Sequence, residues 1–303
     1  MTFIKKHPFL FSILVFSIIV ATTIITVTVV FFCGVGKKAL NFGEKVGIIE
    51  VNGVITESRS TLKSLKQFRK NSKIKAIVLR INSPGGAVGP SQEIYAEVKK
   101  TKKVKKVVAS MGAIAASGGY YIAAAADKIV ANPGTITGSI GVLMQFTNIE
   151  ELLKKIGLTA VVVKSGDYKD IGSPLRKMTP KERKLLQGFV NNIYEQFVSA
   201  VAESRKLPLE KVKAVADGRI FSGEEAKRLG LIDTLGNLED AIDLAARLGG
   251  IKGEVSVVYA KEKRFSLFEY VFGSTLSEII KDLFSQKYTL GYLWQPEKGI
   301  NNG

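Results

Sequence analysis

This sequence predicts an α/β fold with buried parallel strands, preceded by one transmembrane helix. Short runs rich in valine, isoleucine and alanine alternate with segments of helical spacing, the pattern of strands joined by helical crossovers. The apolar runs are nearly continuous rather than alternating, as in strands covered on both faces. Residues 9–33 carry no charged side chain, and about 20 apolar residues suffice to cross a bilayer.

Residues 1–8 form a basic N-terminal segment, and 9–33 form the anchor. A cleaved signal peptide is the competing reading, but its apolar stretch is usually about 7–15 residues. No small-x-small site ends this run, and Phe31-Phe32 is a poor lead into a lipoprotein-type cysteine at Cys33. Lys5 and Lys6 precede the anchor, while Lys37, Lys38 and Lys45 follow it. The positive-inside rule therefore leaves its orientation open, and long domains translocate largely regardless of charge.

After a linker at 34–45, a single domain is expected over 46–260. Residues 46–55 read as a strand with a bend or tight hairpin at Asn52-Gly53. Residues 74–81 form the next strand, ended by Asn82-Ser-Pro-Gly-Gly86. Helical spacing covers 92–99, and a buried strand covers 104–110. Small residues at 112–119 read as a tight turn, with a helix starting over 120–125.

Later helix starts carry capping boxes at Asn148/Glu151, Thr179/Glu182 and Ser222/Glu225. Pro180 suits the first helical position, and Val190, Ile193, Phe197 and Val201 give that helix an apolar face. Gly157 and Gly230 read as helix stops. Asn237 is the candidate cap of a helix over 238–248, and 251–260 form a last strand. In the tail, 261–303, Leu276, Ile279, Ile280 and Leu283 suggest a short amphipathic helix. No internal repeat is visible.

Composition excludes several functions. The net charge of +17 raises nucleic-acid binding, but the lysines are dispersed and no basic run interleaves with aromatics. No nucleic-acid partner is expected; attraction to anionic lipid headgroups is a natural by-product. Cys33 is the only cysteine and His7 the only histidine, so neither an intramolecular disulfide nor a thiolate or histidine-rich metal site can form. No cofactor or metal is expected.

Chemistry centres on Ala115-Ala-Ser117-Gly-Gly119, a variant of the small-x-Ser-x-Gly nucleophile turn. A helix starting at this serine would aim N–H groups and the positive dipole end at a developing oxyanion. An N-cap serine in a tight turn is the plainer reading. The paired glycines of Asn82-Ser-Pro-Gly-Gly86 can present N–H groups to a carbonyl oxygen, or can simply make a turn.

A serine hydroxyl needs a base, and His7 lies on the far side of the anchor. Lysine can serve if neutral. With an ordinary pKa of about 10.4, fewer than about 0.1% of lysines are neutral at pH 7, but burial lowers the value by up to roughly 3–5 units. Lys164 and Lys169 both lie in the segment Val163-Lys-Ser-Gly-Asp-Tyr-Lys169-Asp-Ile-Gly-Ser-Pro174, a loop after a strand. Spacing does not choose between them.

Taken together, Asn-Ser-Pro-Gly-Gly, Ala-Ala-Ser-Gly-Gly-Tyr-Tyr, Gly-Ser-Ile-Gly-Val, Lys-Ser-Gly-x-x-Lys-Asp, Phe221-Ser-Gly-Glu-Glu-Ala226 and Leu229-Gly-Leu-Ile-Asp233 resemble the signal peptide peptidase SppA family in its short bacterial form. The likeness covers about 46–250. It implies a ClpP/crotonase-like fold of repeated ββα units and a Ser–Lys dyad, with Ser117 as nucleophile and Lys169 as general base. Ser139 would orient the lysine. The N–H of Gly118, with Gly85 or Gly86, would form the oxyanion hole.

The resemblance further implies hydrolysis of remnant signal peptides and other apolar peptides through an acyl-enzyme. The expected location is the cell membrane, single-pass, with an extracytoplasmic peptidase domain. Longer family members share the dyad between two related domains. This chain holds one domain, so a homo-oligomeric ring with a shared dyad is expected. The rival readings are a crotonase-like acyl-CoA enzyme and a non-catalytic membrane scaffold.

Overall fold

Helix α1 spans Pro8–Gly36 and exposes side chains all round over 12–29. A helix apolar on every face belongs in a core or a membrane. The stretch Ser12–Val29 is long and apolar enough to cross one. Its threonines do not break the apolar surface. Thr23 Oγ1 donates to the Ile19 carbonyl at 2.8 Å and Thr28 Oγ1 to that of Ile24 at 2.7 Å, so these hydroxyls are satisfied within the helix.

The computed structural model describes residues 8–36, 43–260 and 291–293. The chain divides into two compact units between Gly43 and Glu44. The segment before residue 8, the linker residues 37–42 and the amphipathic helix expected near Leu276 lie outside the described residues.

The second unit is built on an eight-stranded sheet with the path β7-β6-β4-β2-β1-β9. Its central strands are β1 (Lys45–Asn52), β2 (Ile74–Ser83) and β4 (Lys106–Ala116). These run parallel, as their unbroken apolar sequences predict. The strand β9 (Ser256–Tyr259) extends the β1 edge. On the other side, the first part of β4 pairs with β5 (Lys128–Ala131), and its end pairs with β6 (Ile136–Gly138). Two-residue strands close the sheet: β7 (Ile220–Phe221) lies antiparallel to β6, and β8 (Thr234–Leu235) lies parallel to β5.

Helices cover both faces. On one, α9 (Leu238–Gly249) buries Ala241, Ile242, Ala245 and Ala246 against Val46, Val78, Val108 and Val130. The other face carries α2 (Arg59–Lys70), α3 (Val88–Thr101), α4 (Gly118–Ala124) and α6 (Pro180–Arg205). Of the expected apolar stripe of α6, Ile193, Phe197 and Val201 are buried in the larger core and are joined by Val198, while Val190 is only partly buried. Each fully buried side chain of this kind contributes roughly 1.5–3 kcal/mol. Short helices α5 (Glu150–Lys155), α7 (Leu209–Lys213) and α8 (Gly223–Arg228) complete the unit.

The capping boxes at Thr179 and Ser222 form as read, and Asn237 closes a further box with Asp240. Asn148 behaves differently: its side chain accepts from the N–H of Glu150 at 2.9 Å, and Ile149 takes the cap position. Strand β4 is longer than its apolar run. Residues 112–116, expected in a turn, stay extended because β2 and β6 pair with them from both sides. No strand forms over 159–164; Val161 and Val163 are 85% and 96% exposed there.

Candidate active site

Pairing with β6 carries β4 up to Ala116, and α4 begins at Gly118, leaving Ser117 alone to reverse the chain. Its backbone sits at φ 52° and ψ −117°, a region where a Cβ is strained. Its N–H donates to the Gly138 carbonyl at 2.8 Å, and its own carbonyl accepts from Tyr121 at 2.8 Å. The residue is 2% exposed.

Ser139 follows Gly138 and has φ 49°, with its N–H on the Arg219 carbonyl at 2.8 Å. Among the described residues, the non-glycine positions with positive φ are Ser117, Ser139 and Lys206. Lys206 is an ordinary left-handed helix cap. The other two are neighbours across the β4–β6 ladder, so strain concentrates where the nucleophile and its companion serine were expected. That is the usual place for it.

The glycine pair arrives from β2. Ser83 pairs with Ala115, which brings the end of β2 beside the Ser117 turn. Gly119 makes that approach possible, because a Cβ there would stand 2.8 Å from the Ser83 carbonyl oxygen. Beyond it, Gly85–Ala87 forms a short strand, β3. The Gly85 N–H donates to Ser83 Oγ at 3.1 Å. Ile55 then brackets the strand, donating to the Gly85 carbonyl at 2.9 Å and accepting from Ala87 at 2.7 Å. Strand alternation turns the N–H and carbonyl of Gly86 to the opposite edge. A Cβ on Gly86 would lie 2.2 Å from the Ile55 oxygen, so only glycine fits.

That opposite edge is occupied. Gly291–Leu293 forms strand β10, antiparallel to β3 with Tyr292 opposite Gly86. Part of the tail thus lies along the glycine strand, a placement the sequence left open.

Lys169 stands apart. It is exposed on the loop between α5 and α6, and among the described residues no hydrogen bond joins it to Ser117 or Ser139. Its neighbours are tightly held. The Asp170 carboxylate accepts from Arg176 Nε and Nη2, both at 2.8 Å, and from Lys164 Nζ at 2.7 Å. Lys164, the rival base, is therefore engaged in an ion pair. Arg176 also donates to Glu182, at 2.9 Å through Nη1 and through Nη2 to the other oxygen. These charges hold Asp170 well below the carboxylate range, through Arg176 first and then Lys164. The same guanidinium, with the Thr179 N–H, brings Glu182 down to about 2.

The structure thus gathers Ser117, Gly118, Ser139, Gly85 and Gly86 around the ends of β2, β4 and β6, and keeps Lys169 on a separate loop. Sequence reasoning missed the parts played by Ile55, Ser83 and Arg176. Ile55 and Ser83 act through backbone or local bonds that leave no pattern. The Thr179/Glu182 box was a visible pointer to the clamp around Arg176.

Residues 99–252 match the peptidase family S49, and residues 44–137 match the Clp protease family. A putative protease of Synechocystis is 50% identical over 210 residues, which is 69% of this chain and 76% of that protein. A putative signal peptide peptidase SppA of Enterococcus faecium is 40% identical over 214 residues, 66% of this chain and 62% of the relative. Protease 4 of Salmonella typhi is 37% identical over 226 residues, 71% of this chain but 36% of that longer protein. The sheet and its helices are accordingly a ClpP-like domain. The matches decide for a peptidase against an acyl-CoA enzyme or a scaffold.

Proposed function

The chain belongs to peptidase family S49 and is a serine protease, and from that premise we propose that Ser117 is its nucleophile and Lys169 its general base. The observation that carries the reading is the strained, buried Ser117 at the β4–α4 turn, hydrogen-bonded through its N–H to the residue before Ser139.

Neutral Lys169 takes the Ser117 proton as Oγ bonds to the scissile carbonyl carbon. The Gly118 N–H, with that of Gly86 or Gly85, receives the oxyanion. Of the pair, the Gly85 N–H already serves Ser83 Oγ, and the edge bearing the Gly86 N–H must be vacated by β10 before an oxyanion can use it. The carbon–nitrogen bond then breaks, and the lysine ammonium gives its proton to the leaving amine. Water, activated by the same lysine, releases the acyl group and restores Ser117. Ser139 orients the amine.

Lys169 reaches Ser117 of a neighbouring copy. Its exposure and the bare valines at 161 and 163 support this reading. A lysine buried at such a contact loses hydration, which favours the neutral amine the mechanism needs. The assembly is a homo-oligomeric ring. Helix α1 anchors it as a single-pass protein of the cell membrane, with the peptidase domain extracytoplasmic. Its substrates are remnant signal peptides and other apolar peptides, which enter as extended strands along β3 in the place that β10 takes in this structure.

A fluorophosphonate probe followed by mass spectrometry tests the nucleophile: labelling is expected at Ser117 and is lost in Ser117→Ala. Modification at another residue, or peptide hydrolysis surviving Ser117→Ala, refutes the assignment. Mixing Ser117→Ala with Lys169→Ala subunits is expected to restore activity, because an intact site forms wherever the serine of a Lys169→Ala subunit meets the lysine of a Ser117→Ala neighbour. No restoration after confirmed subunit exchange refutes the shared dyad.

A further inference from the structure

The loop carrying Lys169 has no regular secondary structure over 156–179. Turns from Lys169 N–H to the Gly166 carbonyl at 3.1 Å and from Ser173 N–H to the Asp170 carbonyl at 3.0 Å shape it locally. Such turns hold the loop only locally, and the Ile149 N–H on the Pro174 carbonyl at 2.8 Å ties it beyond the base to the segment before α5; a base displaced by 1 Å can lose about 100-fold in rate. Something must tie this loop to the core.

The tie is visible one residue beyond the base. Asp170, with a side chain 13% exposed, is gripped on both oxygens by Arg176 and on one by Lys164. The same guanidinium grips Glu182, which is 3% exposed and forms the capping box of α6 with Thr179. Helix α6 is in turn fastened by Phe197, Val198 and Val201 in the core. Resting on the dyad reading above, we propose that Asp170, Arg176 and Glu182 are positioning residues for Lys169. They join the backbone bearing the base to a buried helix and cancel the carboxylate field beside it.

An ordinary surface ion pair would not carry this argument, since exposed pairs contribute little. Here one planar guanidinium makes forked contacts with two carboxylates at once, which specifies geometry as well as attraction. The charges also balance: Asp170 and Glu182 against Arg176 and Lys164. Other charged and titratable groups at the loop are Asp167, Tyr168 and Lys177 within it and Lys181 and Arg183 on α6. From α5, Glu150 accepts the N–H of Lys177 at 3.1 Å.

The two functions of the clamp are separable by experiment. Arg176→Gln leaves two carboxylates without their shared cation, which favours the lysine ammonium. Asp170→Asn leaves surplus cations, which favours the neutral amine. With the full chain in detergent and a fluorogenic apolar peptide, kcat is expected to fall roughly 10- to 100-fold in both, with KM near parental. The acid limb of the pH–rate profile moves up in Arg176→Gln and down in Asp170→Asn, each by about 0.5–1 pH unit. The double variant returns the limb toward its parental position while kcat stays low.

Parental kcat in both variants, or a limb that moves the same way in both, overturns the clamp. Should Arg176→Gln fail to fold, Arg176→Lys keeps the charge and loses the fork. Its expected profile is a parental limb with reduced kcat, and a parental kcat counts against the proposal. Lys169→Ala separates this idea from the one beneath it. Retained activity there refutes the dyad itself; an inactive Lys169→Ala beside unaffected Asp170 and Arg176 variants refutes the clamp alone.

Discussion

Replacing Ser117 by glycine and by alanine measures the strain at the proposed nucleophile. At a buried, unstrained site, glycine is the worse choice. It loses about 0.8 kcal/mol of methyl burial and concedes about 0.4–1 kcal/mol of chain entropy in the unfolded state. At φ 52° and ψ −117° the Cβ carries a further penalty, of order 1–3 kcal/mol, which alanine keeps and glycine relieves. Ser117→Gly is therefore expected to match or exceed Ser117→Ala in stability. Ser110 supplies the control, being 1% exposed in regular β4. There glycine should be less stable than alanine by roughly 1–2 kcal/mol. Both pairs are compared by urea denaturation followed by circular dichroism, with the Ser110 pair in a Ser117→Ala background to prevent self-digestion. A Ser117→Gly variant less stable than Ser117→Ala by the same margin as at Ser110 refutes the strain argument.

Three other outcomes are expected. Gly86→Ala puts a Cβ 2.2 Å from the rigid Ile55 carbonyl, so β3 must shift; fluorophosphonate labelling of Ser117 should slow about 10- to 100-fold, and an unchanged rate would remove Gly86 from the site. Asn237→Ala removes a side chain accepting from the N–H groups of Glu239 and Asp240, which should cost about 1 kcal/mol in denaturation midpoints while leaving peptide hydrolysis untouched. Acid should loosen the Lys169 loop early. Arg176 holds Glu182 down to about 2 and, with Lys164, holds Asp170 well below its usual value. The unfolded chain therefore binds more protons as pH falls, and this stabilisation, full above about pH 4.5, is lost toward pH 2. Amide exchange over 164–182 should accelerate in that window ahead of α6 beyond Phe197, and uniform acceleration would contradict it.

Local chemistry made much of this protein readable in one dimension. The uncharged apolar run announced α1, and the valine- and isoleucine-rich runs announced β1, β2 and β4, because periodicity and burial are properties of neighbouring residues. The Thr179, Ser222 and Asn237 caps were legible for the same reason: a cap and its partner lie within one turn. Ser117 stood out through its small neighbours. What required three dimensions was every bond made between distant segments. The extension of β4 to Ala116 depends on pairing from β2 and β6 that no local propensity contains. The bracketing of Gly86 by Ile55, the Ser117 N–H on Gly138 and the placement of β10 along β3 arise from contacts 21 or more residues apart in sequence. Ser117 was legible as a candidate nucleophile in its own turn, where an N-cap serine fitted equally well, and the accompanying motifs favoured the nucleophile. That it is buried, strained and beside Ser139, while Lys169 faces outward on a clamped loop, was decided by the packing of the sheet.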